Sequence, residues 1–229
     1  MIRAMESSLH RQLKEHYGTL RGGLCEVAVG GFRIDAVDED GVLTEIQSGG
    51  LGSLKPKLRS LLPHHRIRVV RPIVLRRTIV RRERADGPDL SRRRSPHRGS
   101  LAEAFDDLVG LASLIPDPNL MVEFAGVAVD EIRLSRRREP GYLVVDRRLN
   151  EVLESTAICE PADLWQLLPI GISRAEPFTT DDLARKLGRP RFFAQRVAYC
   201  LRVAGAALPV GKRGNTVIYR AGGDVAVAT

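Results

Sequence analysis

Between Leu9 and Val80 the spacing of apolar residues changes several times, and that succession of periods most limits the folds open to the chain. Leu9, Leu13 and Tyr17 recur at helical spacing with polar residues between them. They predict a helix over residues 6–17 that ends at Gly18, Gly22 and Gly23. Residues 26–29 and 32–37 are short β runs on either side of Gly30-Gly31, a hairpin signal. The turn Asp38-Glu39-Asp40-Gly41 leads into a third run over residues 42–47. Leu51, Leu54, Leu58, Leu61 and Leu62 then mark a second helix, with Pro56 tolerated near its start. His64 and His65 read as a surface turn before a strand over residues 67–75, and a further strand runs through Thr78, Ile79 and Val80. The order is helix, three strands, helix, strand (αβββαβ), an α/β core over residues 1–82.

Residues 83–100 carry few apolar side chains and the run Arg92-Arg93-Arg94-Ser95-Pro96-His97-Arg98, which reads as an exposed arginine-rich loop. A central α+β module over residues 101–170 follows. It has a helix over residues 101–115 with Phe105, Leu108, Leu111 and Leu114 on one face. Strands over residues 121–134 and 142–158 come next, then a short helix from Pro161 capped near Glu160. The segment 171–229 changes grammar. Thr179 caps an acidic first turn, Gly188 stops that helix, Pro190 opens a second one running to Gly205, and a hairpin follows with the basic tip Gly211-Lys212-Arg213-Gly214-Asn215.

The formal net charge of +8 favours a polyanionic partner, because cationic side chains release counterions from phosphate. No stretch approaches the roughly 18 apolar residues of a membrane helix, and the N-terminus shows no apolar signal core, so a cytoplasmic location without membrane contact is expected. Cys25, Cys159 and Cys200 are odd in number, far apart and outside any zinc or redox spacing, so they read as reduced and mostly buried thiols.

Asp35 lies late on the second β run, and Glu45 and Gln47 lie on the third. Asp35 in Arg33-Ile34-Asp35, followed by Glu45-Ile46-Gln47 within αβββαβ, resembles the PD-(D/E)XK nuclease superfamily, with its restriction-endonuclease-like core. The resemblance implies Mg²⁺ or Mn²⁺ held by Asp35 and Glu45. Glu6 on the first helix would act directly or through water, and the metal would activate water against a phosphodiester. Gln47 stands where the superfamily has lysine. It can orient a water but brings no positive charge, and Lys55 or Lys57 on the following helix is the expected substitute. A metal-dependent DNA endonuclease and a non-catalytic DNA-binding or regulatory protein on an inactive nuclease fold are both open on this reading.

Residues 179–219 resemble a winged helix-turn-helix, which implies that the second helix enters the major groove. Arg189, Arg191, Gln195 and Arg196 are the expected reading residues. Phe192 or Phe193, with Val197, Cys200 and Leu201, is expected to form the buried stripe. Lys212, Arg213 and Asn215 on the wing would reach phosphates or the minor groove. DNA is the expected partner, and a homodimer is left open. The whole chain also resembles a bacterial protein family that shares the Glu45-Ile46-Gln47 strand, the 91–96 loop and the 211–215 wing, and that brings no activity with it.

Overall fold

A computed structural model describes residues 7–136, 141–169, 172 and 174–222. The chain is mixed α/β, and the element order at its start is the one its periods predict. Helix α1 (Ser8–Tyr17) precedes strands β1 (Leu24–Val29), β2 (Phe32–Val37) and β3 (Leu43–Ile46), helix α2 (Lys55–Leu61) and strand β4 (Ile67–Arg82). Then come β5 (Asp89–Arg94), α3 (Ala104–Leu108), β6 (Leu120–Ser135) and β7 (Tyr142–Ile158). Helices α4 (Thr180–Leu187) and α5 (Arg191–Ala204) and strands β8 (Ala207–Arg213) and β9 (Thr216–Ala221) complete the series. The described residues group by contact into two units that alternate along the chain. The first takes its residues from 1–48, 69–100 and 124–155, and the second from 49–68, 101–123 and 156–229.

In the first unit the sheet runs in the order β1-β2-β3-β4-β6-β7, with β5 also paired to β4. Strands β1, β2 and β3 form an antiparallel meander. Leu9, Leu13 and Tyr17 of α1 pack on Ile46, Val70, Ala125, Val127 and Val129, so the helical spacing in the sequence is the spacing of one buried face. The start of α1 is fixed twice. Ser7 Oγ accepts the His10 N–H, and Asp146 accepts from Ser8 N–H at 3.0 Å and Ser8 Oγ at 2.7 Å.

Three sequence expectations change here. The run expected as two strands is one sixteen-residue strand, β4. The arginine-rich stretch is not a loop throughout: Asp89–Arg94 is a strand whose backbone pairs with β4, Thr78 opposite Arg94 and Val80 opposite Arg92. Its side chains are all exposed, as suits a charged edge strand that discourages further pairing. Helix 101–115 is broken into a 3-10 turn at Leu101–Glu103, the short α3, and a second 3-10 turn at Ala112–Leu114.

The second unit has its own core. Phe105, Leu108 and Leu111 are buried in it, as are Phe193, Val197, Cys200 and Leu201 of α5. Phe193 is thus the inward phenylalanine, and Phe192 is exposed. Pro161–Leu167 forms a 3-10 helix closed by a Glu160–Asp163 capping box. Trp165 Nε1 donates to the Ala206 carbonyl at 3.1 Å and meets Phe178 edge-on. Phe178 stacks on Tyr219, and the two residues exchange backbone hydrogen bonds of 2.8 Å. The segment before α4 thereby pairs with β9, the second strand of the β8–β9 hairpin.

Candidate functional site

Asp35, on which the nuclease resemblance turns, is met by a backbone N–H, a histidine and a lysine. Its Oδ2 accepts the Ile46 N–H at 2.8 Å. Its Oδ1 lies 3.5 Å from His10 Nε2 and 4.0 Å from Lys14 Nζ, both from α1. Burial pushes the Asp35 carboxyl upward, but the His10 hydrogen bond, the Ile46 N–H and the Lys14 charge outweigh it and hold the group below the ordinary carboxylate range. Lys14 also pairs with Glu26, which Arg33 holds from the other side. Glu26 has φ 61°, the one non-glycine residue in the left-handed region among those described.

Glu45 is 7% exposed on β3. The adjacent Ile46 side chain belongs to the core under α1, so strand alternation turns Glu45 toward the opposite face. Gln47 accepts from Arg71 through its backbone carbonyl, and its N–H donates to the Val70 carbonyl. Lys55 and Lys57 lie on α2, in the second unit. Glu6 lies outside the described residues. Among the described residues no group of three His, Cys, Asp or Glu side chains is placed to hold a metal ion. His10 and Lys14 were not picked out from the sequence. Their only signal is that they follow the buried Leu9 and Leu13 by one residue each.

The second unit assembles a different surface. Thr179 accepts the Asp182 N–H, and the Asp182 carboxylate answers the Thr179 N–H, so α4 opens with a complete capping box. It ends at Gly188, whose φ of 59° suits a residue without Cβ. The chain turns through Pro190 into α5. Because α5 buries Phe193, Val197, Cys200 and Leu201, its opposite stripe presents Arg191, Gln195, Tyr199 and Arg202. These four line a groove closed on its other side by Asn215 and Thr216 of the β8–β9 hairpin. The Arg202 guanidinium lies 5.8 Å from the centre of the Tyr199 ring, and Asp181 pairs with Arg191 at 3.1 Å.

The expected reading residues divide accordingly. Arg191, Gln195 and Asn215 meet in the groove. Arg189 and Arg196 turn away from it, toward Glu103 at 3.9 Å and Asp106 at 2.5 Å, and each also covers a phenylalanine, Phe193 and Phe192 respectively. Lys212 is exposed on β8, and Arg213 stands with Arg185 and Lys186 at a separate concavity. Sequence reasoning missed Tyr199 and Arg202, although the spacing 191, 195, 199, 202 is the helical complement of the apolar stripe. Of the cysteines, Cys200 is buried, Cys25 half-buried and Cys159 exposed, all three unpaired. Burial, with the Asp106 charge, pushes the Cys200 thiol up to about 12, which leaves it inert as a nucleophile.

No helix among the described residues is long and apolar enough to cross a membrane. The profile of a family described as a domain of unknown function (DUF8091) matches residues 7–159. A relative from Treponema pallidum (strain Nichols), titled "Uncharacterized protein", is 35% identical over 222 residues, covering 94% of this chain and 85% of its own. No solved structure matches the chain.

Proposed function

The chain belongs to this DUF8091 family, and from that premise we propose that it is a DNA-binding protein whose reader is the α5–hairpin groove at residues 191–217. The observation that carries the reading is the convergence of Arg191, Gln195, Tyr199 and Arg202 with Asn215 and Thr216. Two guanidinium groups supply phosphate contacts, Gln195 and Asn215 supply amides that can pair with base edges, and Tyr199 supplies a flat apolar face. The surrounding order supports it. A bridge at Phe178, then α4, a glycine turn, α5 and a two-stranded hairpin resemble a winged helix-turn-helix, in which the second helix addresses the major groove.

Fluorescence anisotropy on labelled duplex DNA tests it. Arg191→Ala and Arg202→Ala are expected to weaken binding by about tenfold each, the loss of one charge-assisted contact. Arg189→Ala and Arg196→Ala, whose side chains serve acids outside the groove, are expected to change it less than about threefold. Equal losses at all four positions would show that net charge, and not this groove, binds the DNA. Metal-dependent cleavage of DNA keeps the αβββαβ order in its favour. Adding Mg²⁺ or Mn²⁺ to the same mixtures decides it, with Asp35→Ala and Glu45→Ala expected to abolish any cutting that belongs to this chain.

A further inference from the structure

The arginine-rich stretch, which the groove does not use, builds a pocket in the first unit. After β5 the chain keeps close to β4: Ser95 N–H donates to the Arg77 carbonyl at 2.8 Å, and Gly99 N–H to the Leu75 carbonyl at 3.1 Å. The approach at Gly99 is so tight that a Cβ there would fall 2.2 Å from the Val74 carbonyl oxygen. These contacts bring Arg94 and Arg98 against Arg76 and Arg77, and the four guanidinium-bearing residues line one concavity with Asn150 and Glu151.

Four arginines against one carboxylate, Glu151, leave its lining with a cationic surplus. Arg77 lies 3.4 Å from the buried Glu131, but that carboxylate is already held by Arg133 at 2.6 Å and Arg147 at 3.0 Å. Arg77 Nε is buried and finds no hydrogen-bond partner among the described residues. No described carboxylate stands within ion-pair distance of Arg76, Arg94 or Arg98. Gathering like charges around one concavity raises its positive potential, and an anion entering it relieves the repulsion among them. A single carboxylate brings too little charge for this surplus. Guanidinium forks match phosphate oxygens two at a time, and a phosphate chain brings several charges into a small volume.

We infer that the Arg76–Arg77–Arg94–Arg98 pocket is a binding site for a compact di- or triphosphate group, separate from the DNA-reading groove. The group has two sources, an inorganic phosphate chain or the phosphate tail of a nucleotide, and both are offered to the protein.

Calorimetric titration of the full chain with inorganic tripolyphosphate and, separately, with a nucleoside triphosphate tests the site. Saturable binding tighter than about 1 mM is expected with at least one of them. In the Arg94→Ala/Arg98→Ala variant, whose substituted side chains are exposed, it should fall by about a hundredfold. Near-equal affinities identify the phosphate chain as the whole ligand, and a tenfold preference for the nucleoside form identifies a nucleotide. Arg202→Ala, in the other unit, is expected to leave either affinity unchanged, so the pocket can stand if the groove reading fails, and the reverse. The inference is overturned if neither compound binds, if the double variant binds as tightly as the parent, or if Arg202→Ala weakens binding as much as the double variant does.

Discussion

Asp35 stands in the sequence position of a metal ligand. Its oxygens are met by a backbone N–H, an imidazole and an ammonium group, and the result is a carboxyl held below its ordinary range despite burial. A group whose folded value is depressed stabilises the fold above its unfolded value, and that contribution is lost as pH falls through the folded one. Asp35→Asn keeps an acceptor for Ile46 N–H but loses the charge that answers His10 and Lys14. The variant is expected to be less stable than the parent by about 1–3 kcal/mol at neutral pH. The gap should begin to close below about pH 4, the ordinary carboxylate value at which the unfolded parent takes up its proton, and vanish only once pH falls below the depressed folded value. Urea denaturation at a series of pH values measures both. A gap that persists unchanged in acid would place the loss in packing rather than charge. Glu45 tells the complementary story: its letter and spacing were legible, but the face it takes depends on Ile46 joining the core beneath α1, and no local signal in the sequence carries that.

At the level of elements, legibility followed the strength of local chemistry. The helix ends at Thr179, Gly188 and Gly205 and a cap near Glu160 were readable because each depends on residues a few positions apart. The helix over 101–115 was misread for a physical reason. Phe105, Leu108, Leu111 and Leu114 recur every third residue, the period of a 3-10 helix, and the structure puts 3-10 turns at both ends of the short α3. Strand β5 escaped because strands are read from apolar alternation, whereas this one is held by backbone pairing to β4 and points arginines outward on both faces. The capping box of α4 gives a test at this scale. Hydrogen bonding to Thr179, with further help from Arg185, holds the Asp182 carboxyl below its ordinary range. Thr179→Ala removes one half of the box and is expected to cost about 1 kcal/mol. Since α4 packs on α5, the loss should appear in the denaturation midpoint of the full chain. Thr179→Ser, which keeps the hydroxyl, should recover most of it, and failure to recover would assign the effect to the lost methyl.

Across the whole molecule the net charge of +8 is not spread at random, and salt dependence separates its local uses from its sum. If binding to duplex DNA drew on the full surplus, the affinity would fall with salt along a log–log slope of roughly −7, about 0.9 per phosphate neutralised. The groove and hairpin hold fewer cations: Arg191 and Arg202 in the groove, with Lys212 and Arg213 on the hairpin. A slope of about −3 to −4 is therefore expected. Arg202→Ala should make the slope shallower by about one phosphate, and Arg94→Ala/Arg98→Ala, which removes charge from the other unit, should leave it as it is. Anisotropy titrations between low and moderate salt provide the three slopes. If both variants change the slope equally, DNA answers to charge wherever it lies, and the convergence of Gln195, Tyr199 and Asn215 beside Arg202 has no part in holding it.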